Sequence, residues 1–149
     1  MNGNFGLGLV LLALIAAGSQ GVSAKEKRKA ADLDTWVGQW SAGPEQAISI
    51  TADGDGLHVD ASASFGASDP ERVERGAVNV GAFGGRVPAT WIVGGKVQFA
   101  SSGEEIIPVE AADDYDCVVS MERVGEELRV EDNGMCGGFN VSFNGVYRR

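Results

Sequence analysis

Leu57-His58-Val59-Asp60-Ala61-Ser62-Ala63-Ser64-Phe65 sets an apolar side chain at every odd position and a polar one at every even position. Successive side chains of an extended chain point to opposite faces, so this period of two marks a strand with one buried face. The same alternation recurs at Ile48 and Ile50, Val78 and Val80, Val97 and Phe99, Cys117, Val119 and Met121, and Leu128 and Val130. It is strong again over Phe139-Asn140-Val141-Ser142-Phe143-Asn144-Gly145-Val146-Tyr147. With the segments Trp36 to Trp40 and Trp91 to Val93, about eight short strands are predicted. No stretch shows sustained helical periodicity.

Glycines fall in pairs or beside Asp and Asn: Asp53-Gly54-Asp55-Gly56, Gly84-Gly85, Gly94-Gly95, Asn133-Gly134, Gly137-Gly138 and Asn144-Gly145. Most of these pairs carry the chemistry of tight hairpins, whose turns need positive φ. Short turns between neighbours favour an all-β, antiparallel up-and-down barrel of about eight strands over a sandwich. Closure also removes exposed strand edges. The expected inward set is Ala61, Ala63 and Val80 with Phe65, Phe99 and Phe143, a mixture able to fill the interior.

The stretch from Phe5 to Ala17 is apolar and leads to Val22-Ser23-Ala24, the layout of a secretory signal cut after Ala24. It is too short for a stable membrane anchor. The expected organisation is a signal at 1–24, a flexible tail at 25–35 with at most a short turn near Leu33, and one β-barrel domain at 36–149. A periplasmic or secreted monomer follows. Between Ala30 and Tyr147 stand twenty acidic and six basic residues, a balance of −14. Such a surface repels phosphate backbones and attracts basic partners. Two cysteines in an exported chain, Cys117 and Cys136, read as a disulfide. With a single histidine and no Cys-x-x-Cys, the sequence gives no metal site.

Trp36-Val37-Gly38-Gln39-Trp40, followed by a strand with Ile48 and Ile50, resembles the opening of lipocalin-like and avidin-like barrels. The ending resembles the C-terminal signature of small secreted bacterial domains of unknown function, some of them lysozyme-inhibitor-like. In those an Asp-Asn-Gly-x-Cys-Gly-Gly turn, here Asp132 to Gly138, leads to a last strand ending Gly-x-Tyr-Arg-Arg, here Gly145 to Arg149. These likenesses imply a barrel with one disulfide. No ligand-binding residue carries over, since the tryptophans at 36, 40 and 91 match no avidin-like site.

Asp53-Gly54-Asp55-Gly56 reads as a hairpin, because a calcium loop starting there wants Glu where the chain has Ser64. His58 and Asp60 share the outward face, but no Gly-x-Ser-x-Gly motif supplies a nucleophile. Neither a metal cluster nor a cofactor fingerprint is present in the sequence, so no enzyme and no cofactor are expected. Glu110, Asp113, Asp114 and Asp116 form the densest acidic run and are the expected contact for a basic protein such as a lysozyme. Trp36, Trp40 and Tyr147 are expected where the first and last strands meet, closing the barrel or facing a ligand. The leading expectation is a non-catalytic binding module. Its alternative is a carrier of a small apolar molecule inside the barrel.

Overall fold

In the computed structural model the described residues are 32–149. The expected signal at 1–24, and the expected tail as far as residue 31, lie outside them. Residues 32–34 make one helical turn, and Leu33 packs against the core while its carbonyl accepts from Trp36 N at 2.9 Å.

Nine strands follow in two antiparallel sheets. β1 (Gly38–Gly43), β2 (Gln46–Asp53), β3 (Gly56–Phe65) and β4 (Asn79–Pro88) form the first in sequence order. The second contains β5 (Lys96–Ser102), β6 (Glu105–Ile107), β7 (Cys117–Val124), β8 (Glu127–Asp132) and β9 (Gly145–Tyr147), ordered β6-β5-β7-β8-β9. The expected turn chemistry holds at Asp53–Gly56 and Gly94–Gly95: Asp53 pairs with Gly56 around Gly54 at φ 60°, and Val93 with Lys96 around glycines at φ 59° and 77°. One short helix, α1 (Pro70–Glu74), sits between β3 and β4. Its start is a standard cap: Asp69 Oδ1 accepts from Glu71 N and Arg72 N, and Pro70 opens the helix.

The buried faces of the two sheets meet in one core. Phe83 of β4 lies edge-on to Phe99 of β5, with ring centroids 5.8 Å apart, and to Phe143 of the β8–β9 connection at 4.8 Å. One ring thus joins both sheets, in the edge-to-face geometry aromatic quadrupoles prefer. Ile48, Ile50, Leu57, Val59, Val119, Met121, Leu128 and Val130 fill in around it, the alternation read from the sequence. Cys117 and Cys136 form the expected disulfide, joining the start of β7 to the β8–β9 connection.

Several expectations need correction. The ladder does not close into an eight-stranded barrel. Ser41 and Arg148 exchange backbone hydrogen bonds at 2.8 and 2.9 Å, so the first and last strands meet as expected. At the opposite edge β4 and β6 lie side by side without a ladder, with Ile106 packed where Gly85 leaves room. Val80 faces out, 69% exposed. Ala63 pairs with Gly81 and Ala61 with Phe83, so the inward positions of β4 are odd-numbered and Val80 falls one residue off. Phe65 is only partly buried. Gly84-Gly85 is no turn but the middle of β4, opposite Asp60 and Val59. The 91–93 segment leaves a 3₁₀ turn, Ala89–Trp91, rather than forming a strand.

This register makes a mutational contrast. Phe83→Ala should lower the unfolding free energy by about 3–5 kcal/mol, the range for emptying a buried aromatic site. Val80→Ala, on the outside of the same strand, should change it by less than about 0.5 kcal/mol. Denaturant unfolding measures both, and equal losses would contradict the assigned faces.

Candidate functional site

The residues between β8 and β9 do not run straight into the last strand. Phe139 was expected inside on the alternation, yet it is 81% exposed. The reason is local: Asn140 takes φ 64°, which breaks the extended run, and the alternation resumes with buried Val141 and Phe143. Just before it, Gly137 crosses Gly81 of β4 so closely that a Cβ on Gly81 would lie 2.4 Å from Cys136 O and 2.8 Å from Gly137 Cα. The connection therefore leaves the edge of the second sheet and rests on the first.

Asp132 and Asn133 hold this path. Asp132 Oδ2 accepts from Phe143 N at 2.6 Å and from Ser142 Oγ at 3.1 Å, while Oδ1 accepts from Gly134 N at 2.6 Å. Asn133 Oδ1 accepts from Val118 N and Met135 N, both at 3.1 Å, and Asn133 Nδ2 donates to Asp116 O at 2.9 Å. Asn79 Nδ2 donates to Phe139 O at 2.8 Å, and Gly138 N to Val80 O at 3.0 Å. The Asp-Asn-Gly-x-Cys-Gly-Gly segment thus lies against residues 116–118 on one side and 79–81 on the other. Each of its distinctive residues has a structural task.

What this ledge presents is apolar. Tyr115 is 85% exposed, Phe139 81% and Met135 52%, and Val80 adjoins Phe139 through the Gly138 bond. These side chains stand out from backbone fixed by a disulfide, a tight glycine crossing and side-chain hydrogen bonds. Their backbone is held in place, so these side chains meet any partner from a fixed position.

The acidic run lies at the same end, with Glu110 in the 3₁₀ turn Val109–Ala111 and Asp113, Asp114 and Asp116 in the segment that follows it. Its four carboxylates are not equivalent. Asp116 Oδ2 accepts from Asp113 N at 3.0 Å, and Asp113 Oδ1 accepts from Tyr115 N at 2.8 Å, so both brace the turn that displays Tyr115. Glu110 and Asp114 are exposed. Tyr115, Met135 and Phe139 were missed in the sequence. Tyr115 was open to notice as a lone aromatic within a polar run, whereas Phe139 was masked by its place in an apparent strand.

Trp36, Trp40 and Tyr147 are all buried, at 2% exposure or less. Trp40 Nε1 donates to Trp36 O at 2.9 Å, and Tyr147 Oη donates to Phe143 O at 2.9 Å. The guanidiniums of Arg123 and Arg149 stack on the Trp40 ring at 4.5 and 4.4 Å from its centroid. These aromatics sit beside the Ser41–Arg148 bridge. His58 Nε2 lies 3.3 Å from Asp60 Oδ2 on the outer face, and Arg86 lies against both Asp53 and Asp55 of the β2–β3 hairpin. Among the described residues no three His, Cys, Asp or Glu side chains are grouped to hold a metal ion, and no helix is long and apolar enough to cross a membrane. Comparison with protein-family models, curated proteins and solved structures returns no match.

Two expected outcomes follow from these contacts. Asp132→Ala leaves Phe143 N and Gly134 N without their acceptor, and should lower stability by about 1–3 kcal/mol. Hydrogen exchange should show lost protection concentrated at 134–143; uniform loss across both sheets would contradict the bracing role. Burial, and secondarily the Asp132 charge, push the Tyr147 phenol far above its ordinary range. An unfolded tyrosine ionises near pH ~10. The native state keeps the proton, so its stability is full below that pH and falls as pH rises beyond it. Tyr147→Phe should flatten this alkaline fall in a melting-temperature profile, and an unchanged slope would refute the assignment.

Proposed function

We propose that the chain is an exported, non-catalytic binding module that recognises a basic protein through the ledge carrying Tyr115, Met135 and Phe139 and the acidic turn beside it. The observation that carries this reading is the exposure of two aromatic rings on backbone that a disulfide and the Asp132–Asn133 hydrogen bonds hold in place. Such anchors lose little conformational freedom on contact, which is how a small patch gains affinity. The surrounding negative charge supplies attraction over distance and selects cationic surfaces. The C-terminal likeness to lysozyme-inhibitor-like chains points to a lysozyme as the type of partner.

The space between the sheets is filled by Phe83, Phe99, Phe143, Trp40 and their neighbours, which directs the search for a partner to the outside. We take the two sheets as halves of a flattened, incompletely closed barrel, supported by the Ser41–Arg148 bridge and the approach of β6 to β4. A disulfide joining two nearly buried cysteines accords with an oxidising compartment, the periplasm or the exterior.

Immobilised lysozyme tests the reading. Capture should weaken as added salt shortens the screening length, and neutralising Glu110, Asp113, Asp114 and Asp116 to Gln or Asn should slow association more than it speeds dissociation. Tyr115→Ala and Phe139→Ala should act on dissociation instead, each weakening binding by about thirtyfold, the equivalent of ~2 kcal/mol for a central aromatic anchor. Failure of the native protein to bind lysozyme at low salt rejects that partner, and binding indifferent to both aromatic variants rejects the ledge.

A further inference from the structure

The outer face of the second sheet carries two complete cross-strand rows. Gln98 of β5, Ser120 of β7 and Glu131 of β8 stand opposite one another in register, and Lys96, Glu122 and Arg129 form the next row. Trp91, at the end of the 3₁₀ turn Ala89–Trp91, stands beside them with its ring half-buried against the core. It walls a groove of about 560 Å³ over both rows. A smaller hollow of about 270 Å³ is shared by Trp91, Gln98, Pro108 and Glu110. Because Trp91 and Gln98 line both spaces, they read as one trough that passes the indole.

The two rows differ in how far they are paired within the protein. Lys96 Nζ lies 3.1 Å from Glu122 Oε1, and Arg129 lies 3.8 Å from a Glu127 carboxylate that it shares with Arg148. Among the described residues, the side chains of Gln98, Ser120 and Glu131 and the Trp91 indole N–H have no hydrogen-bond partner within the protein. Together they offer an amide that donates and accepts, a hydroxyl that does both, a carboxylate that accepts and an N–H that donates. They line a trough of ligand-site size with one aromatic wall.

We propose that this trough binds an extended, uncharged oligosaccharide. Every sugar hydroxyl both donates and accepts, which the mixed row of Gln98, Ser120 and Glu131 matches. The C–H face of a pyranose ring is apolar and packs on an indole. The lining carries three carboxylates, Glu110, Glu122 and Glu131, against two cations, Lys96 and Arg129, a balance that disfavours phosphates and uronic acids. A lining this polar gives a fatty chain no compensation for the desolvated Gln, Ser and Glu groups. Two adjoining spaces that share the indole and Gln98 give room for more than one sugar ring.

Trp36 and Trp40 are buried, so Trp91 is the one of the three tryptophans placed to report a ligand by its fluorescence. Titration of the purified protein with chitotetraose and with cellotetraose should give a saturable change for at least one of them at or below millimolar concentration. A tetragalacturonate should give none. Gln98→Ala, an exposed change that leaves the core untouched, should weaken binding by about tenfold, and Trp91→Ala should abolish it with the melting transition still cooperative. Ligand-observed NMR serves for Trp91→Ala, which loses the fluorescent reporter. The proposal is overturned if neither neutral tetrasaccharide binds, if the anionic one binds equally well, or if Gln98→Ala binds as tightly as the native protein.

Discussion

Where Gly137 lies on Gly81, two stretches of backbone meet with no side chain between them. That contact is the constraint on which the far end of the molecule depends. It lets the β8–β9 connection leave its own sheet and reach the edge of the other, and the neighbouring Cys136 fastens the same segment to β7. From there the chain turns at Asn140, drops Val141 and Phe143 into the core, and enters β9 in time to bridge Ser41 through Arg148. One close approach thus seats Phe143 against Phe83 and leaves Phe139 outside. Any side chain at 81 or 137 would push these layers apart, which is why glycine stands at both.

The parts of the fold legible in the sequence are those where alternation is the only influence. β3 and β8 have apolar and polar residues in strict order, as β7 does over Val119–Glu122, and their buried faces are the ones the pattern marks. β4 was misread because its inward positions are Gly81, Phe83, Gly85 and Val87. Two of the four carry no side chain to register as apolar, while outward-facing Val80 does. The glycines of β4 were legible as special, but their purpose is close approach to Gly137 and Ile106 rather than a turn. Phe139 failed for a different reason. A single residue at positive φ shifts the phase of everything before it, and an asparagine that takes this conformation looks like any other asparagine in a polar position.

For the candidate site, the sequence located the acidic run and the disulfide but not their relation. Asp113 and Asp116 are spaced to close a turn on each other, and that turn displays Tyr115. Asp132 and Asn133 look like turn formers and are also the acceptors that tie the ledge to β7 and to Phe143. These roles depend on which strands are neighbours in space, and spacing along the chain does not carry that information. Trp36, Trp40 and Tyr147 stood out as the largest aromatic residues near the ends. They are the core of the sheet junction, satisfied by Trp36 O and Phe143 O, and nothing about their identity distinguishes that task from ligand contact.

The account rests on the ledge being a contact surface rather than an incidental exposure of aromatic groups. Its most direct test is photo-crosslinking from position 139, with a benzoylphenylalanine replacing Phe139 and the same probe at Val146, exposed on β9, as the comparison. In cells producing the protein, the probe at 139 should give one discrete adduct with a basic protein, diminished by salt, and the probe at 146 should not give it. Identical adducts from both positions, or none from 139, would contradict the claim that this face recognises a partner.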